Sequence, residues 1–279
     1  QNYLIAGPCS AESRDQLIKT AVELNRHVKL DVLRAGIWKP RTRPNFFEGV
    51  GSQGLKWLKE AGDIINKPVI TEVANAKHVE EILKHNIDSI WIGARTTVNP
   101  FLIQEIAESL RGVKIPIAIK NPVNPDVNLW IGATERILST GNNNIALIHR
   151  GFSSYGDSKF RNIPKWEIPI EMMRNFPDLP MYCDPSHIGG KRTLIYEIAQ
   201  KAIDLNMDGL MIESHIDPNQ AKSDSKQQLS PNELKKTINK LIIKKVFSEN
   251  KKFINALEET RTKIDSIDYE ILNLFTQRF

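Results

Sequence analysis

The sequence predicts a (β/α)8 barrel, on three observations. Eight short apolar runs recur over the first 245 or so residues, amphipathic stretches of helical spacing lie between them, and the runs end in polar or ionisable residues. Strands alternating with helices give parallel strands joined by crossover helices. Eight such units in this length match a closed barrel. An open doubly wound sheet is the alternative. It favours a G-x-G-x-x-G first turn, whereas the first turn here reads Gly7-Pro8-Cys9-Ser10.

The elements follow in order. The first run, Tyr3–Ala6, is broken by Gly7 and Pro8 and leads to Cys9. Leu17, Ile18, Ala21 and Leu24 then form the stripe of a helix. The second run, Val28–Leu33, ends at Arg34, and its loop carries Lys39-Pro40-Arg41-Thr42-Arg43. The third, Pro68–Val73, contains Glu72; the fourth, Ser89–Gly93, leads to Arg95. The fifth, Ile115–Lys120, precedes Asn121, and the sixth, Asn144–His149, leads to Arg150. The seventh, Pro180–Cys183, opens Asp184-Pro185-Ser186-His187-Ile188-Gly189-Gly190. The stripe Leu194, Ile198, Ala202 and Leu205 precedes the eighth run, Gly209–Ile212, which ends in Glu213-Ser214-His215. In such barrels chemistry sits where strands end, so these residues are expected on one rim.

Composition narrows the function. The chain has 279 residues, 41% hydrophobic and 25% charged, enough for one large domain and a small appendage. No apolar run approaches the roughly 18 residues of a membrane span, so no membrane partner is expected. The chain starts at Gln1-Asn2-Tyr3 without a Met and enters a strand at once. No signal peptide is expected, and targeting upstream stays open. Two cysteines cannot build a disulfide framework, which points to the cytoplasm. Part of the net charge of +5 lies in the stretch from Lys235 to Lys252, and the rest can attract anionic metabolites. No basic patch is interleaved with aromatics, so nucleic acid is not an expected partner.

Two chemistries can be sorted from the rim. Cys9, His187 and Glu213 offer sulfur, nitrogen and oxygen, and Asp224 adds a fourth ligand from the loop after the eighth strand. That mixed set suits a divalent transition ion, Mn, Fe, Co or Zn, and is poor for Mg or Ca. Spacing leaves plainer readings open: Cys9 as a small buried hydrophobe, His187 as a capped loop residue. The second chemistry is anion binding. Arg34, Lys39, Arg41, Arg95, Lys120 and Arg150 would project into one pocket. Clustered cations repel unless a polyanion fills the site, and arginine forks suit phosphate and carboxylate. Two phosphorylated substrates, or a phosphate with a carboxylate, match that number. Pairing of each cation with a surface acid is the competing reading.

These residues carry a resemblance. "AGPCSAES", "LRAGIWKPRT", "TEV", "IGART", "IKN", "HRGF", "DPSHIGGKR", "IES" and "SDSKQQL" occur in the order of the motifs of 3-deoxy-D-arabino-heptulosonate 7-phosphate (DAHP) synthases, over residues 1–245. The chain resembles the short-barrel type Iβ class. The related 3-deoxy-D-manno-octulosonate 8-phosphate synthases usually carry K-A-N-R-S where this chain has K-P-R-T. The resemblance implies condensation of phosphoenolpyruvate with erythrose 4-phosphate, the first step of the shikimate pathway. It implies a metal on Cys9, His187, Glu213 and Asp224. Arg34 and Lys39 would meet the phosphoenolpyruvate carboxylate, and Arg95, Lys120 and Arg150 its phosphate. Arg41 and Thr42 would hold the erythrose 4-phosphate phosphate. Glu72 would be a further pocket acid, and Cys183 gains no ligand role. Lys39 is expected to be the proton donor, its pKa lowered by neighbouring cations. A related synthase using arabinose 5-phosphate, and a non-catalytic metabolite-binding barrel, are the alternatives.

The tail stands apart. Residues 246–252 read as a linker. Leu257, Ile264, Ile267, Ile271, Leu274 and Phe275 make one amphipathic helix within 253–279. The stretch "ALEETRTKIDSIDYEILNLFTQRF" resembles the first helix of all-helical chorismate mutases, with Arg261 and Arg278 at the spacing of two substrate-binding arginines. The resemblance implies a truncated all-helical domain with no mutase activity of its own, a parent protein that is a homo-oligomer, and prephenate as feedback inhibitor. A docking or coiled-coil helix is the plainer reading.

Overall fold

In a computed structural model the strands β1 Tyr3–Gly7, β2 Val32–Arg34, β3 Val69–Val73, β4 Ser89–Ile92, β5 Ile117–Lys120, β6 Ile145–His149, β7 Met181–Cys183 and β8 Gly209–Glu213 close into a barrel. Every pairing is parallel between sequence neighbours, and β1 pairs β8 from Tyr3↔Gly209 to Gly7↔Glu213. The structure describes residues 3–39, 46–243 and 251–278, without the side chains of 251–254, 257 and 276–278. The helices on the outside are α1 Arg14–His27, α2 Gln53–Ile65, α3 Ala76–Lys84, α4 Ala94–Thr97, α5 Pro100–Ser109, α6 Val127–Leu138, α7 Glu167–Asn175, α8 Pro185–Gly189, α9 Ile195–Asp204 and α10 Pro231–Lys240.

Local chemistry starts these helices. Ser13, Asn75 and Asp126 each accept a hydrogen bond from a backbone N–H of the first turn of α1, α3 and α6. Pro100 follows the cap Asn99, and Ser230 with Glu233 makes a reciprocal capping box around Pro231. The α1 stripe is buried at Leu17, Ala21 and Leu24. Two strands begin two or more residues later than expected. Helix α1 runs to His27 and Val28 caps it, donating to the Leu24 carbonyl at 2.9 Å, so β2 starts at Val32. Pro116 has no N–H for the ladder, so β5 starts at Ile117 rather than Ile115.

The barrel interior is layered. Ile5, Val32, Ile70, Trp91, Ala118, Ile148 and Met211 form a buried apolar cluster, with Ala146 and Tyr182 packed on it. Every strand contributes to this floor. Side chains alternate along a strand, so the next inward positions lie two residues on. They are Gly7, Arg34, Glu72, Gly93, Lys120, Arg150, Asp184 and Glu213. The intervening residues, Leu33, Ile92, Ile119, Leu147, Cys183 and Ile212 among them, pack outward in the larger core beneath the helices.

The chain divides into two compact units, Gln1–Ile242 and Ile243–Phe279. The second is the helix α11, Lys251–Arg278, on which Ile264, Ile267, Ile271, Leu274 and Phe275 are exposed. Among the described residues no helix is long and apolar enough to cross a membrane.

Candidate active site

The first strand turns toward the rim at Gly7, whose φ is +151° and where a Cβ would overlap the Arg34 carbonyl. This close approach delivers Cys9. Its N–H donates to Gln228 Oε1 at 2.9 Å, and its thiol lies 3.4 Å from Asp224 Oδ2. The ligand atoms of Cys9, Glu213 and Asp224 all lie within 4.8 Å of one another. His187 stands outside that set of three but borders it: Nε2 is 3.8 Å from Glu213 Oε1, and Nδ1 is 2.8 Å from Asp184 Oδ2. Asp224 sits in the left-handed region at φ 47°, which aspartate tolerates and which other residues enter at a cost of about 1–3 kcal/mol.

Burial, then the neighbouring Glu213 carboxylate, push the Cys9 thiol up to about 12. As a bare thiol it therefore stays protonated at neutral pH, and a divalent cation would displace that proton. Burial raises the Asp224 carboxyl, but His187, Arg161 and Lys39 together hold it far below the usual carboxylate range. A thiol and two carboxylates close together, with an imidazole beside them, fit a divalent transition ion.

The loop after β8 is bolted to this group. Gln227 donates to Glu213 Oε2 at 2.7 Å, Gln228 donates to the Ser223 carbonyl at 2.8 Å, and Ser10 and Ser223 hydroxyls lie 2.6 Å apart. Glu213 N–H donates to Ser186 Oγ at 3.0 Å, tying β8 to α8.

The cations line the other side. Arg34 is 1% exposed, donates through Nη2 to Glu213 Oε1 at 3.2 Å, and lies 4.8 Å above the Trp91 ring. Its Nε and Nη1 have no hydrogen-bond partner among the described residues. Such buried donors cost roughly 1–3 kcal/mol each unless something accepts from them. Lys120 donates to Asp184 Oδ2 at 2.7 Å and lies 5.5 Å from Trp91. Arg150 is buried, and burial, with Arg161 and Arg95 nearby, brings its guanidinium down to about 10 against the opposing pull of Asp184. Asn121 accepts from Arg150 N–H at 2.7 Å and donates to the Gly151 carbonyl at 2.8 Å, fixing the ends of β5 and β6. Arg95 is exposed at the start of α4. Glu72 accepts from Trp91 Nε1 at 3.2 Å, and Gly93 leaves the space it fills.

Lys39 differs from expectation. Its Nζ donates to the Cys9 carbonyl at 3.2 Å and to Cys9 Sγ at 3.1 Å. Burial works against its charge, but Cys9, Glu213 and Glu72 outweigh burial and Arg34, and its pKa is raised rather than lowered. Its ammonium rests on Cys9, between the acids Glu213 and Glu72 and the cation Arg34.

Arg41 and Thr42 lie outside the described residues, as does the Arg278 side chain; Arg261 is exposed on α11. Cys183 is buried beneath the helices, away from the inward face. Sequence reading gave no role to Asp184, though its place two residues after the floor residue Tyr182 was a usable signal. It also missed Arg161, which follows β6 by a loop of no regular pattern and meets Asp224 at 3.0 Å.

Fold and site together define a barrel enzyme for anionic substrates. Residues 1–249 match the DAHP synthetase I family, and the chain belongs to it. It is 32% identical over 254 residues to phospho-2-dehydro-3-deoxyheptonate aldolase of Thermotoga maritima, covering 91% of this chain and 70% of the relative. It is 28% identical over 261 residues to 2-dehydro-3-deoxyphosphooctonate aldolase of Geotalea daltonii, covering 85% of this chain and 90% of that one. The crystal structure of the Thermotoga maritima enzyme superposes with a TM-score of 0.77 at 32% identity, over 92% of this chain and 70% of that chain. A truncated form of 3-deoxy-D-arabino-heptulosonate 7-phosphate synthase from the same organism gives 0.74 at 30% identity, over 92% and 87%.

Proposed function

We propose that this rim divides the work of DAHP synthesis between an acidic metal side and a cationic phosphoenolpyruvate side. The chain is a DAHP synthase, an aldol-type transferase that condenses phosphoenolpyruvate with erythrose 4-phosphate and releases inorganic phosphate, the first step of the shikimate pathway. The observation that carries the division is Arg34: a buried guanidinium with one N–H on Glu213 and two nitrogens left for a ligand.

Arg34, with Lys39, receives the carboxylate of phosphoenolpyruvate, and Lys120, Arg150 and Arg95 receive its phosphate. Lys120 and Arg150, buried and fixed in advance, stabilise the reacting phosphate without reorganising, and Arg95 reaches it from the exposed rim. Arg41 and Thr42 take the phosphate of erythrose 4-phosphate, and Glu72 orders a water on the pocket wall. Cys9, His187, Glu213 and Asp224 would hold a divalent ion, which would supply Lewis acidity for the aldehyde. C3 of phosphoenolpyruvate bonds to the aldehyde carbon, and Lys39, held protonated, gives the resulting alkoxide its proton. Water adds at C2, left cationic as the C2–C3 π pair forms the new bond, and returns a proton to the Lys39 amine; the new hydroxyl then becomes the carbonyl, its proton leaving with inorganic phosphate as the bond from C2 to the phosphate oxygen breaks.

The two free cysteines suit a reducing cytoplasm. Helix α11 begins a chorismate-mutase-like domain following the barrel domain, 1–245, and the linker, 246–252. Its exposed apolar stripe is covered in a homo-oligomer, and prephenate is the feedback ligand. Release of phosphate from phosphoenolpyruvate, with erythrose 4-phosphate compared against arabinose 5-phosphate, tests the reaction. The expected kcat/KM is higher for erythrose 4-phosphate. A higher value for the five-carbon sugar makes the chain an octulosonate synthase, and no release with either makes it a binding barrel.

A further inference from the structure

We infer that Arg161 is a positioning residue for the metal, holding both carboxylate ligands through a single guanidinium nitrogen. Arg161 Nη1 donates to Asp224 Oδ1 at 3.0 Å and to Gln227 Oε1 at 2.7 Å. Gln227 passes the restraint on, donating through Nε2 to Glu213 Oε2 at 2.7 Å. The relay takes one oxygen of each acid and leaves the other turned inward, where Glu213 Oε1 also accepts from Arg34 Nη2 at 3.2 Å. Asp224 Oδ2 then faces the Cys9 thiol at 3.4 Å, and Glu213 Oε1 faces His187 Nε2 at 3.8 Å.

The relay has a structural purpose beyond neutralising charge. Asp224 stands on a left-handed backbone in the long loop after β8, whereas Glu213 is the last residue of a strand. A ligand pair drawn from a loop and a strand needs a tie if both are to meet one ion. Arg161 comes from a third segment, between β6 and β7, and supplies that tie from outside. Outer groups of this kind typically alter metal affinity by about 10–100-fold when removed.

Charge and position predict opposite signs. Arg161 is a cation beside the proposed ion, so its removal should strengthen divalent binding if charge alone mattered. If it positions the ligands, its removal weakens binding. This inference rests on the metal reading above. The test is titration with Co2+ alone, followed through the thiolate-to-cobalt charge-transfer band that Cys9 would give, with KM for both substrates measured at saturating metal. We expect Arg161→Ala to weaken Co2+ affinity about 10–100-fold, with KM for phosphoenolpyruvate changed little and Arg161→Lys recovering only part of the loss. Gln227→Ala should weaken affinity in the same direction, and it decides the matter if Arg161→Ala does not fold. Unchanged or tighter Co2+ binding in a folded variant overturns the inference, as does a raised KM with unchanged affinity, which would make Arg161 a substrate ligand. A parent chain with no charge-transfer band overturns the metal reading itself, and this inference with it.

Discussion

Asp184 Oδ2 receives Lys120 Nζ at 2.7 Å and lies 2.8 Å from His187 Nδ1, so one buried carboxylate oxygen joins the cationic pocket to the metal side. Both partners of the Lys120–Asp184 pair are withdrawn from water. Burial raises the Asp184 carboxyl, but His187 and Lys120 override it and hold the group ionised. Breaking such a pair leaves an uncompensated charge, at about 3–5 kcal/mol. Asp184→Ala should lose stability of that size in urea denaturation at pH 7. A loss under about 1 kcal/mol would mean that Lys120 finds another partner.

Cys9→Ala and His187→Ala should each abolish most synthase activity with the circular dichroism spectrum unchanged, since neither side chain is part of the packed floor. Chelation should silence the parent, and added Mn2+ or Co2+ should restore it. Normal turnover by metal-stripped Cys9→Ala would remove the ion from the reaction.

His149 gives the chain a built-in acid sensitivity. It is fully buried against Phe152 and Trp166, and burial, then the Arg150 charge, depress its pKa to about 3. A depressed histidine contributes stability that is whole above the unfolded value near 6.5 and is lost as pH falls toward the folded value, because the unfolded chain binds the extra proton. Between pH 7 and pH 5 this residue should cost about 2 kcal/mol. Unfolding measured against pH should show that slope, and His149→Phe should flatten it. Equal slopes in the two proteins would mean that the folded imidazole takes up its proton at the same pH as the unfolded one.

Gly93 and Glu72 compete for one volume. The backbone at Gly93 is ordinary, with φ −73°, so an alanine is excluded only by Glu72 Oε1. Gly93→Ala should cost about 1–3 kcal/mol in thermal unfolding. Glu72→Ala in the same chain should restore much of it. Simple additivity of the two losses would place the strain elsewhere.

The tail is tested by length. With a complete helical domain, prephenate should inhibit the synthase, and a version ending near Lys245 should be indifferent to it. Inhibition is a coupling free energy and requires the ligand to favour one arrangement of the parts. Equal inhibition of the shorter version would put the inhibitor site on the barrel.

The strand order, the closure of the barrel and the inward set Arg34, Glu72, Lys120, Arg150 and Glu213 were legible because alternation and strand ends are local signals. The nearness of Cys9 and Asp224, 3.4 Å between thiol and carboxylate, follows the motif that singled both out. Arg161 and Gln227 were not legible, because they act through loops whose course is set by tertiary bonds rather than by period. The Lys39 shift was misjudged for a related reason. Sequence order put Lys39 among the arginines, whereas the fold turned its ammonium toward the Cys9 sulfur.

The two-residue offset between floor and rim sets which accidents of mutation this protein can survive. A codon gained or lost inside a strand rotates everything beyond it to the opposite face. In β5 a gain would send Lys120 under the helices and bring Ile119 to the substrate, and a loss would bring Asn121 there. The same change beside Tyr155 and Gly156 meets no such constraint: the tyrosine is fully exposed, and a Cβ at the glycine would touch nothing within 4 Å. Length variation among descendants of this chain should therefore gather in that loop and spare the eight strands.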